Sequence, residues 1–132
     1  MIIVDTSVLL DVVTNDPVWG IRARLALDNA SATDDVVIND VIYAELSVRY
    51  PTIEGFEAML KSVPLQHRPI PPRALFLAGK AYQLYRRRGG MKTSVLPDFF
   101  IGAHAAVEGA QILTRDPGRV KTHFPTVTLN AP

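Results

Sequence analysis

Short, unbroken apolar runs alternate along this chain with longer stretches in which apolar residues return every three or four positions. Ile2-Ile3-Val4, Val36-Val37-Ile38 and Ile112-Leu113-Thr114 are of the first kind. They are mostly β-branched and polar-bounded, which predicts strands buried on both faces. A further strand is expected over 126–129, and an extended piece from Leu65 to Ile70. The intervening stretches predict helices: Ser7 to Asn15, ended before Asp16-Pro17, then one opened by Pro17 with Trp19, Ala23, Leu27 and Ala30 at helical spacing. Asn39 or Asp40 caps a third helix, which runs to about Arg49 and is stopped by Pro51; Thr52 to about Ser62 forms a fourth. Pro71-Pro72 starts a long helix with the stripe Leu75, Ala78, Tyr82 and Tyr85, ending in Arg86-Arg87-Arg88 and Gly89-Gly90. Pro97 starts the last, through Val107. Strands alternating with helices predict a mostly parallel sheet covered by helices, an α/β fold.

Composition narrows this picture. At 132 residues, with no internal repeat or linker, the chain is expected to be one domain spanning 1–132. Hydrophobic residues make up 48% and charged residues 20%, a globular mixture that argues against disorder. A formal charge of +1 gives no overall attraction for nucleic acid, so any such binding must come from a local patch. The absence of cysteine excludes disulfides and thiolate chemistry and suits a reducing cytoplasm. Asp5 and Asp11 interrupt the first apolar segment, which has no basic leader, so no signal peptide is expected. No stretch reaches the roughly 18 consecutive apolar residues of a membrane span.

Four acids stand where strands end or helices begin. Asp5 closes the first strand, and Asp116 follows the run ending at Thr114. Glu45 lies within an apolar helical stripe between Val41 and Val48, and is expected to be at least half-buried. Asp98 stands in the first turn opened by Pro97. Each has an ordinary alternative: Asp5 as a cap, Glu45 as a solvated helix residue, Asp98 as a complement to the helix dipole, Asp116 as a cap before Pro117. The Asp98 face continues with Gly102, Ala105, Ala106 and Gly109, small enough for close helix approach, which is expected to turn Asp98 inward. In open parallel sheets ligands bind beyond the carboxyl ends of the strands. Acids gathered there repel, each pair by about 4 kcal/mol at ~4 Å and an effective dielectric near 20. A hard divalent cation is the natural neutraliser.

Together, Ile2-Ile3-Val4-Asp5-Thr6-Ser7-Val8-Leu9, helical Glu45, Leu96-Pro97-Asp98 and Ile112-Leu113-Thr114-Arg115-Asp116 resemble the PIN-domain nucleases. At this length they resemble in particular the VapC-like toxins of toxin–antitoxin pairs. The resemblance spans nearly the whole chain. It implies a three-layer α/β/α sandwich with a mostly parallel central sheet, and Mg2+- or Mn2+-dependent endonucleolytic cleavage of RNA. Asp5, Glu45, Asp98 and Asp116 would form the acidic quartet, with Asp5 and Asp98 the firmest metal ligands and Thr6, Ser7 and Thr114 the flanking polar positions. It also implies a VapB-like antitoxin on the helical surface, across the helices at 17–30, 40–49 and 52–62, and a homodimer. Phe99 and Phe100 depart from the family pattern, in which a small residue often follows the third acid; a ring there is expected to narrow the site.

For RNA contact the candidates are Arg86, Arg87, Arg88 and Lys92, beside the glycine pair; arginines at a helix C-terminus also simply complement the dipole. His67, His104 and His123 lack metal-ligand spacing and are read as packing or surface residues, and Asp11, Asp34, Asp35 and Asp40 as solvated residues or caps. Two other functions compete. One is a PIN-like module whose catalytic site is silent. The other is a magnesium-binding phosphoacceptor receiver, which fits poorly because Asp5 has no acidic neighbour and residues 51–53 are Pro-Thr-Ile.

Overall fold

In the computed structural model, which describes residues 1–63, 65–91 and 96–132, the first strand, β1 (Ile2–Val4), is the centre of a five-stranded sheet. The remaining strands are β2 (Val36–Ile38), β3 (Gln66–His67), β4 (Gln111–Leu113) and β5 (Leu129–Asn130), in the order β3-β2-β1-β4-β5. Every pairing is parallel. Ile3 lies in register between Val37 and Ile112, and all three are fully buried. This is why the three continuous apolar runs read so clearly: strands covered on both faces have no polar side to alternate with.

The helices are α1 (Thr6–Val13), α2 (Gly20–Thr33), α3 (Asp40–Ser47), α4 (Ile53–Ser62), α5 (Pro72–Arg87), α6 (Leu96–Glu108) and the short α7 (Gly118–Lys121). The chain steps outward from β1 to β2 to β3, then crosses back to β4 and onward to β5. Right-handed crossovers in opposite directions place helices on opposite faces, giving the expected α/β/α sandwich. The reversal falls between β1 and β4. A receiver-type order would be 2-1-3-4-5, so this topology sets the receiver alternative aside. No described helix is long and apolar enough to cross a membrane.

Several local expectations need correction. The strand expected at 126–129 forms only at Leu129–Asn130, because a turn closed by Val127 N–H to the Phe124 carbonyl takes up the preceding residues. Of the expected α5 stripe, Ala78 is buried and Tyr82 and Tyr85 pack against the core, whereas Leu75 is 43% exposed and Ala74 is buried in its stead. Small residues on that face suit close packing of α5 against α6. Helix α7 lies outside the expected elements, although Asp116 before Pro117 offers a cap; it is a single turn whose N-cap is Pro117 and which has no side-chain capping bond.

Candidate functional site

The site begins with the hydrogen bond from the Asp5 amide to the Leu113 carbonyl, which seats the end of β1 beside the end of β4. Asp5 occupies the N-cap position of α1 in extended backbone, yet its side chain makes no capping bond. Instead its buried carboxylate turns across the sheet edge. Its Oδ2 accepts from the hydroxyls of Ser7 (2.8 Å) and Thr114 (2.9 Å) and from Arg119 Nη2 (3.3 Å). The same hydroxyls are themselves fixed: Ser7 Oγ accepts from the Arg115 amide, and Thr114 Oγ1 from the Asp116 amide. Thus Ser7 and Thr114 tie Asp5 to the loop after β4 and set the angle of its carboxylate. Thr6, the third flanking position, donates to Glu45 Oε1 at 2.7 Å, linking α1 to α3.

Arg119 brings the acids together. Its guanidinium lies 3.3 Å from Asp5 Oδ2, 3.7 Å from Asp98 Oδ1 and 3.3 Å from Asp116 Oδ2. Three of the four acids therefore share one cation, and the fourth is joined through Thr6, next to Asp5. Asp98 is turned inward as expected, its side chain 17% exposed. Burial raises its carboxyl above the ordinary value of 3.8, reinforced by the charges of Asp5, Glu45 and Asp116 and opposed by Arg119. The other three acids thus all lie within electrostatic reach of Asp98. Among the described residues, no three acidic or histidine side chains stand close enough to hold an ion between them as they are. The donor set is nevertheless oxygen-only and strongly anionic, the chemistry that fits Mg2+ or Mn2+ rather than a soft metal.

Two expectations about these residues change. Glu45 is exposed rather than buried: α3 stops at Ser47, its buried positions are Ile42 and Leu46, and Val48 beyond its end is 85% exposed. Phe99 lines the pocket beside Asp98 and Arg119 but is not a free ring. It is buried in an aromatic cluster, 4.5 Å from the His123 ring and edge-on to Tyr82 and Phe124. A shallow pocket beside Asp98 and Arg119 is lined further by Tyr85, Thr122 and His123.

The supporting residues were less visible in sequence. Asp11, read as solvated, is buried and takes Arg115 Nη1 at 3.0 and 3.1 Å on its two oxygens. Burial raises its carboxyl above the ordinary value although Arg115 pulls the other way. Arg115 also lies over the Trp19 ring at 5.4 Å, so it pins the loop after β4 to α1 and the turn before α2. Asn39 Oδ1 caps α3 by accepting from Val41 and Ile42 amides, which points its Nδ2 at Nδ1 of the buried His104. His104 Nδ1 must then accept, so the ring is neutral, and α3 is joined to α6. Burial lowers the His104 pKa below 6.5, opposed by Glu108 and Asp40.

Of the RNA-contact candidates, Arg86, Arg87 and Arg88 are exposed at the end of α5, and Arg86 Nη1 donates to the Gly90 carbonyl at 2.8 Å, a capping role. Gly89 has φ +90, the left-handed conformation that a C-cap glycine serves. Lys92 lies outside the described residues.

The family model for the PIN domain matches residues 2–122. No curated protein matches the chain. Among solved structures, VapBC2 from Rickettsia felis, bound to a DNA fragment from its promoter, aligns with TM-score 0.76 at 18% identity, covering 100% of this chain and 99% of that one. DNA-bound VapBC from Salmonella typhimurium gives TM-score 0.71 at 18% identity, covering 98% and 96%. FitAcB from Neisseria gonorrhoeae gives 0.69 at 19%, also covering 98% and 96%. At such identities the likeness is one of fold.

Proposed function

The chain belongs to the PIN-domain family, and from that premise we propose that it is a metal-dependent endoribonuclease, the VapC-like toxin of a toxin–antitoxin pair. The main support is the convergence of Asp5, Asp98 and Asp116 on one guanidinium at the carboxyl edge of β1 and β4, with Glu45 tied in through Thr6. A family nuclease needs such an arrangement, and a silent module has no reason to bear its repulsion.

In this proposal Asp5 and Asp98 hold Mg2+ or Mn2+ directly, and Glu45 and Asp116 hold it through water or complete a weaker second position. When bound, the ion makes water acidic enough to attack near neutral pH and offsets charge on the phosphate. The chain's own contribution is orientation. Ser7 and Thr114 fix Asp5, and Thr6 restrains Glu45. Arg86, Arg87 and Arg88, with Lys92, supply the positive surface for the RNA backbone.

The structural neighbours named VapBC and FitAcB are the reason to propose a VapB-like antitoxin here. Val18, Ile21 and Leu25 on and before α2, with Val48 and Ile53, leave apolar side chains exposed on the helical surface where such a partner would lie. Homodimerisation and a cytoplasmic location complete the proposal.

The test is cleavage of RNA by the purified protein with Mg2+ or Mn2+ and with chelator, alongside Asp5→Asn and Asp98→Asn. Cleavage is expected only with metal, and neither variant should cut while both keep the wild-type circular dichroism. Chelator-resistant cleavage, or undiminished cutting by both variants, refutes the assignment; a wild type that binds metal but never cuts would favour the silent module.

A further inference from the structure

Arg119 is shared too thinly to be an ordinary structural ion pair. A guanidinium bound in a fork to one carboxylate lies at ~2.7–2.9 Å. Here the contacts are 3.3, 3.7 and 3.3 Å to three carboxylates, and the Arg119 side chain is 46% exposed. One positive charge therefore faces Asp5, Asp98 and Asp116, with Glu45 also within electrostatic reach of Asp98. The oxygens it touches belong to the residues that would hold a divalent ion. It is carried on α7, a single helical turn of four residues.

We propose that Arg119 is the site's resident counter-ion, which stabilises the metal-free protein and competes with the divalent metal for the carboxylates of Asp5, Asp98 and Asp116. The inference rests on the metal-binding reading above. A guanidinium and a divalent ion drawn to the same three carboxylates repel each other and divide their negative charge, so each weakens the hold on the other. Two ligands that weaken each other are coupled negatively, and the coupling is reciprocal. Part of what Arg119 contributes to these carboxylates is given up when the ion binds.

The experiment is Mn2+ binding by calorimetry on the full chain, comparing wild type, Arg119→Gln and Arg119→Lys, with thermal unfolding recorded with and without Mn2+. Arg119→Gln should bind Mn2+ roughly tenfold more tightly, towards the low end of usual coupling because the side chain is half exposed. Metal-free, it should melt below wild type, and Mn2+ should raise its Tm by more than it raises that of wild type. Arg119→Lys keeps the charge but cannot span three carboxylates, so its affinity should fall between the two; it also serves if the glutamine variant fails to fold without metal. Wild type binding Mn2+ while both variants bind no more tightly overturns the inference alone. No Mn2+ binding by any of the three overturns it together with the reading on which it rests.

Discussion

Replacing Arg115 by alanine tests how the site's scaffold is held. The substitution removes both contacts from Nη1 to Asp11, at 3.0 and 3.1 Å, and leaves a carboxylate that is only 6% exposed without its partner. Breaking a fully buried pair costs about 3–5 kcal/mol and an exposed one about 0–1. Arg115 is 37% exposed, which places this pair between those limits at about 2 kcal/mol. Losing the guanidinium over Trp19 adds about 0.5 kcal/mol. The sum, about 2–3 kcal/mol, corresponds to a fall in Tm of roughly 6–15 °C for a domain of this size.

The deficit should also depend on pH. Burial already holds Asp11 above its ordinary value, and without Arg115 it rises further. A group with a raised folded-state pKa favours folding below its unfolded value, and that advantage is lost as pH rises through the folded value. The gap between wild type and Arg115→Ala should therefore be widest at neutral pH and narrow on acidification, as Asp11 takes up a proton and no longer needs a partner. Adding Asp11→Ala to the variant should recover part of the loss. Urea denaturation in metal-free buffer measures all of this. A gap below about 0.5 kcal/mol at neutral pH, the range of ordinary surface changes, would refute the reasoning. So would a gap that does not change with pH.

Two further outcomes concern α6. Gly102→Ala should destabilise by about 1–2 kcal/mol in urea, because the new Cβ would overlap the buried Phe124 ring and the gain in helix propensity only partly offsets the crowding; an unchanged midpoint would show that the ring moves aside freely. Burial holds His104 below its ordinary pKa, so between about pH 6.5 and that lower value the unfolded chain binds the extra proton and the folded state loses stability as pH falls. His104→Gln should lose less over this window, and parallel stability curves would dismiss the histidine as the cause.

What could be read from the sequence was whatever depends on near neighbours. The three buried runs gave their strands because each is apolar on both faces, and Asn39 and Thr52 declared their helices through capping bonds that span two or three residues. The positions of Asp5 and Asp116 at strand ends were likewise local. Arg119 was not visible. It meets Asp5 across 114 residues of chain, and only its spacing of three from Asp116 hinted at a pairing. The burial of Asp11 is hidden for the same reason, since its partner lies 104 residues away. The exposure of Glu45 is hidden because the apolar pattern around it continues past the end of α3, where Val48 faces solvent.

The central place of β1 has a bearing on biosynthesis. Its residues are made before those of the strands beside it, yet one flank stays open until 111–113 are made, and the carboxylate at position 5 lacks its Thr114 and Arg119 donors until still later. A nascent chain thus holds only fragments of the acidic rim. On the proposed function, the acidic rim could not act on RNA in the translation machinery before synthesis has passed residue 119.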